Sequence, residues 1–193
     1  MSTTKPYVLL GDYLETSGRK LGMHVTIEYG GSSLRAVTSV PLKTTRVIDN
    51  GVPESIDDVV TKLRKELADV DVVRNVANPS VIHIIDSRLQ TLRDYALDRR
   101  IDLTYTGLLS GLPEAIGKVT DGAVGPKRVF AVNESFGDYV TRVHLTASSK
   151  TVRDILTDCV RLHGYSVPIW NAMTWNNGGK VDTWIQYYGL ARK

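Results

Sequence analysis

Cysteine, phenylalanine and histidine are scarce in this chain: one, two and four respectively among 193 residues. A single Cys159 excludes a disulfide framework within the chain. No stretch approaches the ~20 consecutive apolar residues that a membrane-spanning helix requires. The histidines, His24, His83, His144 and His163, do not cluster. Cys159 and His163 stand one helical turn apart, a spacing that presents two metal ligands, but no further Cys or His pair completes a zinc set. No metal and no cofactor is expected. Glycine-rich phosphate loops are also missing, since Asn177-Gly178-Gly179-Lys180 lacks the required spacing. Ser148-Ser149-Lys150 supplies a Ser and a Lys without an evident pocket or oxyanion donors, and its place just ahead of an expected helix suits a polar approach to a cap. Asp57-Asp58 and Asp69 with Asp71 read as helix-end and surface carboxylates. No catalytic residue is nominated, and the chain is expected not to be an enzyme.

Charge of one sign is not concentrated either. The net charge of +3 comes from 24 Lys and Arg against 21 Asp and Glu. Residues 1–96 carry 12 of each sign and residues 97–193 carry 12 against 9. A nucleic-acid binder gathers positive charge on one face, so this balance speaks against one.

What the chain does contain is a repeated block. Residues 45–63 and 141–159 share five identical positions of 19 without a gap, among them Thr45-Arg46-Val47 against Thr141-Arg142-Val143. Each block carries a hydroxyl followed three residues later by Asp, Ser55 with Asp58 and Thr151 with Asp154. That pattern caps a helix N-terminus, and the acid suits the positive end of the helix dipole. Apolar residues then recur at helical spacing: Ile56, Val59, Val60, Leu63 and Leu67, then Val152, Ile155, Leu156, Cys159 and Leu162. The first helix is expected to stop near Asp69 and the second at His163-Gly164.

Each helix is followed by two strand-like runs, Val70–Val76 and Val81–Asp86, then Ser166–Thr174 and Val181–Tyr188. Each is preceded by another, Lys43–Ile48 and Tyr139–Thr146. Upstream, Tyr7–Leu21 suits a helix and His24–Tyr29 a strand. In the second half Ile101–Gly107 alternates as a strand, Leu112–Val119 suits a helix and Arg128–Asn133 a strand. The fold class is therefore α+β: two tandem mixed-sheet modules of approximate β-α-β-β-α-β-β order, related by internal duplication. The first module spans residues 1–88, with its opening strand short or absent. The second spans 89–193 and begins with a connector, in which Leu89, Leu92, Tyr95, Ala96 and Leu97 point to packing rather than to a flexible linker.

The stretch Ile101 to Tyr188, with its opening strand, its helix Leu112–Val119 and its block Thr151-Val152-Arg153-Asp154-Ile155-Leu156, resembles the short N-terminal domain of secretins and TonB-dependent receptors. The ending His163-Gly164-Tyr165-Ser166-Val167 resembles that family's helix-to-strand transition. Residues from about Leu9 to Ile85 look like a divergent second copy. The resemblance implies a bacterial cell-envelope protein, periplasmic, whose modules bind other envelope proteins, and it brings no catalytic residues with it. Met1–Pro6 do not read as a signal peptide. The expected localisation is the periplasm if a signal segment has been removed, and the cytoplasm otherwise.

The aromatic residues near the C-terminus are the candidate protein interface. Alternation places Val181, Thr183, Ile185 and Tyr187 on one face of the last strand, read as core, and Asp182, Trp184, Gln186 and Tyr188 on the other. With Val167, Ile169 and Met173 on the core side of the preceding strand, Trp170 would join Trp184 and Tyr188 in one exposed patch, with Trp175 beside the turn. The alternative is that the other module or the connector covers these residues. The expected function is a non-enzymatic protein-binding or assembly module. The competing expectation is a cytosolic nucleic-acid-binding protein, against which stand the missing aromatic RNA-binding signature and the diluted charge.

Overall fold

In the computed structural model the chain is described over residues 7–30, 47–126, 141–162, 169–177 and 180–187. Strand β1 (Tyr7–Leu9) leads into helix α1 (Leu10–Leu21), which buries Leu10, Tyr13, Leu14, Ser17 and Gly18, one apolar face at helical spacing. Gly22 closes α1 in the left-handed region at φ 64°, where glycine pays no Cβ penalty. Strands β2 (His24–Gly30) and β3 (Val47–Asp49) follow. Helix α2 (Ile56–Glu66) then starts at a full reciprocal capping box. Asp58 N–H donates to Ser55 Oγ at 3.1 Å and Ser55 N–H donates to Asp58 Oδ2 at 2.9 Å. The first half ends in the hairpin β4 (Val70–Arg74) and β5 (Val81–Asp86).

The second half runs through the same order: β6 (Arg100–Leu108), α3 (Leu112–Val119), β7 (Val124–Pro126), β8 (Arg142–Thr151), α4 (Val152–Thr157), β9 (Trp170–Asn177) and β10 (Lys180–Tyr187). Here too a Thr151 hydroxyl accepts from Asp154 N–H at 3.1 Å to cap the helix. The fold is α+β, as expected. The order of pairing also recurs. In each half the first and third strands form an antiparallel pair, β1 with β3 and β6 with β8. In each half the closing hairpin adds its last strand parallel to the second strand, β5 to β2 and β10 to β7.

Several boundaries move. Tyr7–Leu9 belongs to a strand rather than to the helix, because its ladder to Val47–Asp49 satisfies backbone groups that a longer helix would also have satisfied. Helix α4 stops at Thr157, and a 3-10 turn, Val160–Leu162, carries the rest of the expected helical stretch. The expected strand Arg128–Asn133 and the stop at His163-Gly164 lie outside the described residues. The connector forms two 3-10 turns, Leu89–Thr91 and Ala96–Asp98, with Leu89, Tyr95, Ala96 and Leu97 buried.

The two halves meet in one six-stranded sheet of order β4-β5-β2-β9-β10-β7. The seam is the parallel pair β2 and β9, with Thr26 beside Trp170 and Tyr29 beside Met173. Residues paired across strands point to the same side, so the ladders sort the sheet into two faces. The front face carries Val25, Ile27, Val70, Val72, Ile82 and Ile84, packed in one core with Leu14 of α1, Val59 and Leu63 of α2 and Ile48 of β3. The back face carries Trp170, Ala172, Ile185, Tyr187 and Val124, packed with Ile116 of α3 and Ile155 and Leu156 of α4. That second core extends onto the first half, where Val81 and Ile85 belong to it. The helices of the two halves thus lie on opposite faces.

Candidate functional site

The first core, among the described residues, takes in no side chain from the front face of β9 and β10, where Asn171 is buried at 6% exposure. The register places Trp184 opposite Met173 and Asp182 opposite Trp175, with Gln186 opposite Asn171. All lie on the face opposite to the buried Thr174, Thr183, Ile185 and Tyr187. Met173, Trp175 and Trp184 are half-buried. Trp175 and Trp184 meet edge to face, with ring centroids 4.3 Å apart and planes at 88°. This T-shaped geometry sets the positive edge of one ring on the negative face of the other. The pair forms a half-buried aromatic ridge on this face.

Trp170 does not share this ridge, which corrects the expected patch. It is fully buried, on the back face, under the second-half helices. The physical reason is parity. Thr26 and Tyr187 flank Trp170 across the two ladders and all three point backward, which leaves Asn171, Met173 and Trp175 for the front. Tyr188 lies outside the described residues. Of the four nominated aromatic residues the structure brings Trp175 and Trp184 together and sends Trp170 to the core.

A polar seam between the halves escaped the sequence reading. Glu28 of β2 is fully buried, and Arg153 of α4 grips it with two parallel bonds, Nε to Oε1 at 2.6 Å and Nη2 to Oε2 at 2.8 Å. Arg153 also bonds Asp98 of the connector, and the Tyr95 hydroxyl donates to Glu28 Oε2 at 3.0 Å. Burial pulls the Arg153 guanidinium down, but its bonds and charge contact with Glu28 outweigh this and raise it further. Tyr95 is pushed well up, first by burial and then by the Glu28 charge.

Beside it sits a second cluster. His83 Nδ1 meets Thr26 Oγ1 at 2.6 Å and His83 Nε2 meets Asn75 Nδ2 at 3.0 Å. Asn75 is oriented from both ends, since its Oδ1 accepts from Asn78 N–H at 2.7 Å and its Nδ2 donates to Asp154 Oδ1 at 2.9 Å. Nε2 of His83 must therefore accept, and the ring is neutral with its proton on Nδ1. Burial, then the Arg153 charge, drives His83 down to about 3. Burial raises the Asp154 carboxyl, yet the bonds from Thr151 and Asn75 prevail and hold it below the usual carboxylate range. One signal for this seam stands in the sequence: Val81-Ile82-His83-Ile84-Ile85 is a continuous run rather than an alternating one. Such a run marks a strand covered on both faces, and its polar neighbours must be buried with it.

The remaining nominated chemistry resolves into structural roles. Lys150 pairs with Asp158 at 2.7 Å, and Ser149 N–H donates to Asp102 Oδ1 at 2.7 Å. Cys159 is 4% exposed, and its thiol is pushed up to about 11, first by burial and then by Asp158. A cleft of 440 Å³ opens between the β4–β5 turn and α4, lined by Asn75, Asn78, Arg100, Lys150, Asp158 and Arg161 among others. Among the described residues no group of three or more His, Cys, Asp or Glu gathers to hold a metal, and no helix is long and apolar enough to cross a membrane. Compared with family models, with curated proteins and with solved structures, the chain finds no match.

Proposed function

We propose that the chain is a non-enzymatic protein-binding or assembly module that docks its partner at Trp175 and Trp184, on the front face of β9 and β10. The observation that carries this reading is the edge-to-face pair Trp175 and Trp184, half-buried on a sheet face whose opposite side is packed. Tryptophan is enriched where interfaces concentrate their energy, because it buries much area at small rotamer cost. Of the neighbours on that face among the described residues, Asn171, Met173, Asp182 and Gln186 are neutral or acidic, and the ladder adds one basic residue, Lys180. A single-strand nucleic-acid site would surround its aromatic rings with Lys and Arg. The setting in a bacterial envelope, and a common origin of the two halves by duplication, accord with the resemblance to secretin and TonB-receptor N-terminal domains.

The test compares Trp184→Ala with the wild type in capture from envelope extracts and in binding of labelled single-stranded oligonucleotides. Loss of a captured protein with a melting temperature lowered by only a few degrees is the expected result. Oligonucleotide binding that vanishes with Trp184 would overturn the reading in favour of a nucleic-acid site.

A further inference from the structure

A bulge in the β6–β8 pair changes the side to which one lysine turns. Along most of the pair the side chains alternate. Val143 and Ala147 of β8 and Leu103 of β6 turn inward and are buried, while His144, Thr146 and Ser148 turn outward. Two steps along β6, from Leu103 to Ile101, then answer to three along β8, from Ala147 to Lys150. The extra residue inverts the parity, so Lys150 shares the inward side with Ile101 instead of the outward side with Ser148. The bulge is held under strain. Ser149 sits at φ 50°, in the left-handed region that a residue with a Cβ seldom adopts. Its N–H donates to Asp102 Oδ1 at 2.7 Å, and its carbonyl accepts from Arg100 Nη1 at 2.7 Å. Two side chains of the neighbouring strand thus hold the strained residue in place, and strain so fixed signals a use for what it positions.

What it positions is Lys150. This side chain lines the 440 Å³ cleft beside α4 and a second cleft of 270 Å³, and the two clefts share Lys150, Asp158 and Arg161. The larger one also takes in Asn78, Arg100 and Asp154, and its volume falls within the ~300–1,000 Å³ of small-ligand sites. Both carboxylates there are occupied. Asp154 accepts from Thr151 and Asn75, and Asp158 accepts from Lys150 at 2.7 Å. The arginines keep donors to spare. Arg161 is exposed and makes no hydrogen bond or ion pair among the described residues. Arg100 commits Nη1 to Ser149 and leaves Nε and Nη2 without a partner among those residues. We infer that this cleft binds a small multiply charged oxyanion compound, a phosphate ester or a polycarboxylate. Arg100 and Arg161 bond its oxygens, as the guanidinium fork is suited to do, and Lys150 supplies a third positive charge. The site shares no residue with the Trp175–Trp184 face and goes beyond the proposed docking role.

Titration of the full chain with inorganic phosphate, pyrophosphate and citrate, followed by amide chemical shifts, tests this against sodium chloride at matched ionic strength. Saturable shifts at Asn78, Arg100, Lys150 and Arg161 are expected from at least one of the three anions and not from chloride. Tighter binding of pyrophosphate assigns a phosphate ester, and tighter binding of citrate a polycarboxylate. Lys150→Gln and Arg161→Gln are each expected to weaken binding by about tenfold or more, the loss of one charge-assisted contact. Lys118→Gln, on the exposed side of α3 and outside the cleft, is expected to bind as the wild type does. Asp158→Asn is expected to tighten binding, because it frees Lys150 for the anion, an effect that a merely structural ion pair would not produce. Shifts that never saturate, shifts that chloride reproduces, or equal loss in Lys118→Gln would overturn the inference. So would Lys150→Gln and Arg161→Gln variants that bind like the wild type, or weaker binding by Asp158→Asn.

Discussion

Asn75 shows how much one amide can decide. Because both ends of its side chain are committed, to Asn78 and to Asp154, the imidazole of His83 has one acceptable form. Protonation would set an N–H against an NH2 group in a site without water-like relief, next to the Arg153 charge. The folded chain takes up this proton only near about 3, whereas the ordinary value is 6.5. The unfolded chain therefore binds more protons between those limits, and stability must rise with pH there. The contribution is complete above pH 6.5 and is lost as pH falls toward 3. Asp154, held low, adds a loss of the same sign further down. Urea unfolding of the wild type and of His83→Gln across that window checks it: the wild type should lose more stability on acidification than the variant. Equal slopes would mean that His83 does not set the acid sensitivity. The tryptophans separate at the same scale. Trp170→Ala empties a sealed core position and should cost about 3–5 kcal/mol. Trp184→Ala forfeits mainly the ring pair, about 0.5–1.5 kcal/mol.

Helix α3 meets β7 at closer range than any side chain permits. A Cβ on Gly117 would run into the carbonyl oxygen of Val124, which is backbone and cannot swing aside. Gly117→Ala should therefore lower the melting temperature, because overpacking of about 1–3 kcal/mol outweighs the roughly 1 kcal/mol that alanine gains in a helix. A stabilised variant would show that the helix has room to move. At this scale most elements are legible in the sequence. Ser55 with Asp58 and Thr151 with Asp154 announce both capped helices, and the stretches 81–86 and 112–119 fall where periodicity puts them. Tyr7–Leu9 is misread because its strand exists only through pairing with β3, a contact that local propensity does not encode. Trp170 is misread for a related reason. Its strand lies between β2 and β10 with cover on its back face, and Trp-Asn-Ala-Met-Thr-Trp alternates too weakly to say which side is which. The parity is set by β2, far away in the chain. The polar seam is hidden likewise, since Glu28 and Arg153 become partners only once the halves are joined.

For the whole molecule the seam is a lock rather than a hinge. Glu28 and Arg153 sit on different halves, and removing one partner strands a buried charge, typically at a loss of about 3–5 kcal/mol. Arg153→Met should show a loss of that order in urea unfolding, and Glu28→Gln in the same background should recover part of it by removing the stranded charge. If the double variant is as unstable as the sum of the singles, the pair is not coupled. The seam also fixes an order of events as the chain is made. Strand β2 leaves the ribosome with Thr26, and its neighbour Trp170 is synthesised about 140 residues later. At ~5–20 residues per second the delay is about 7–30 s. Throughout it the first half holds a bare strand edge and an uncovered back face bearing Val81, Ile85 and the charge of Glu28. Pairing of such long sequence separation is slow to form even in a finished chain. The nascent first half is thus the species on which a holding chaperone would act, and the same uncovered edge would let two unfinished chains exchange their second halves.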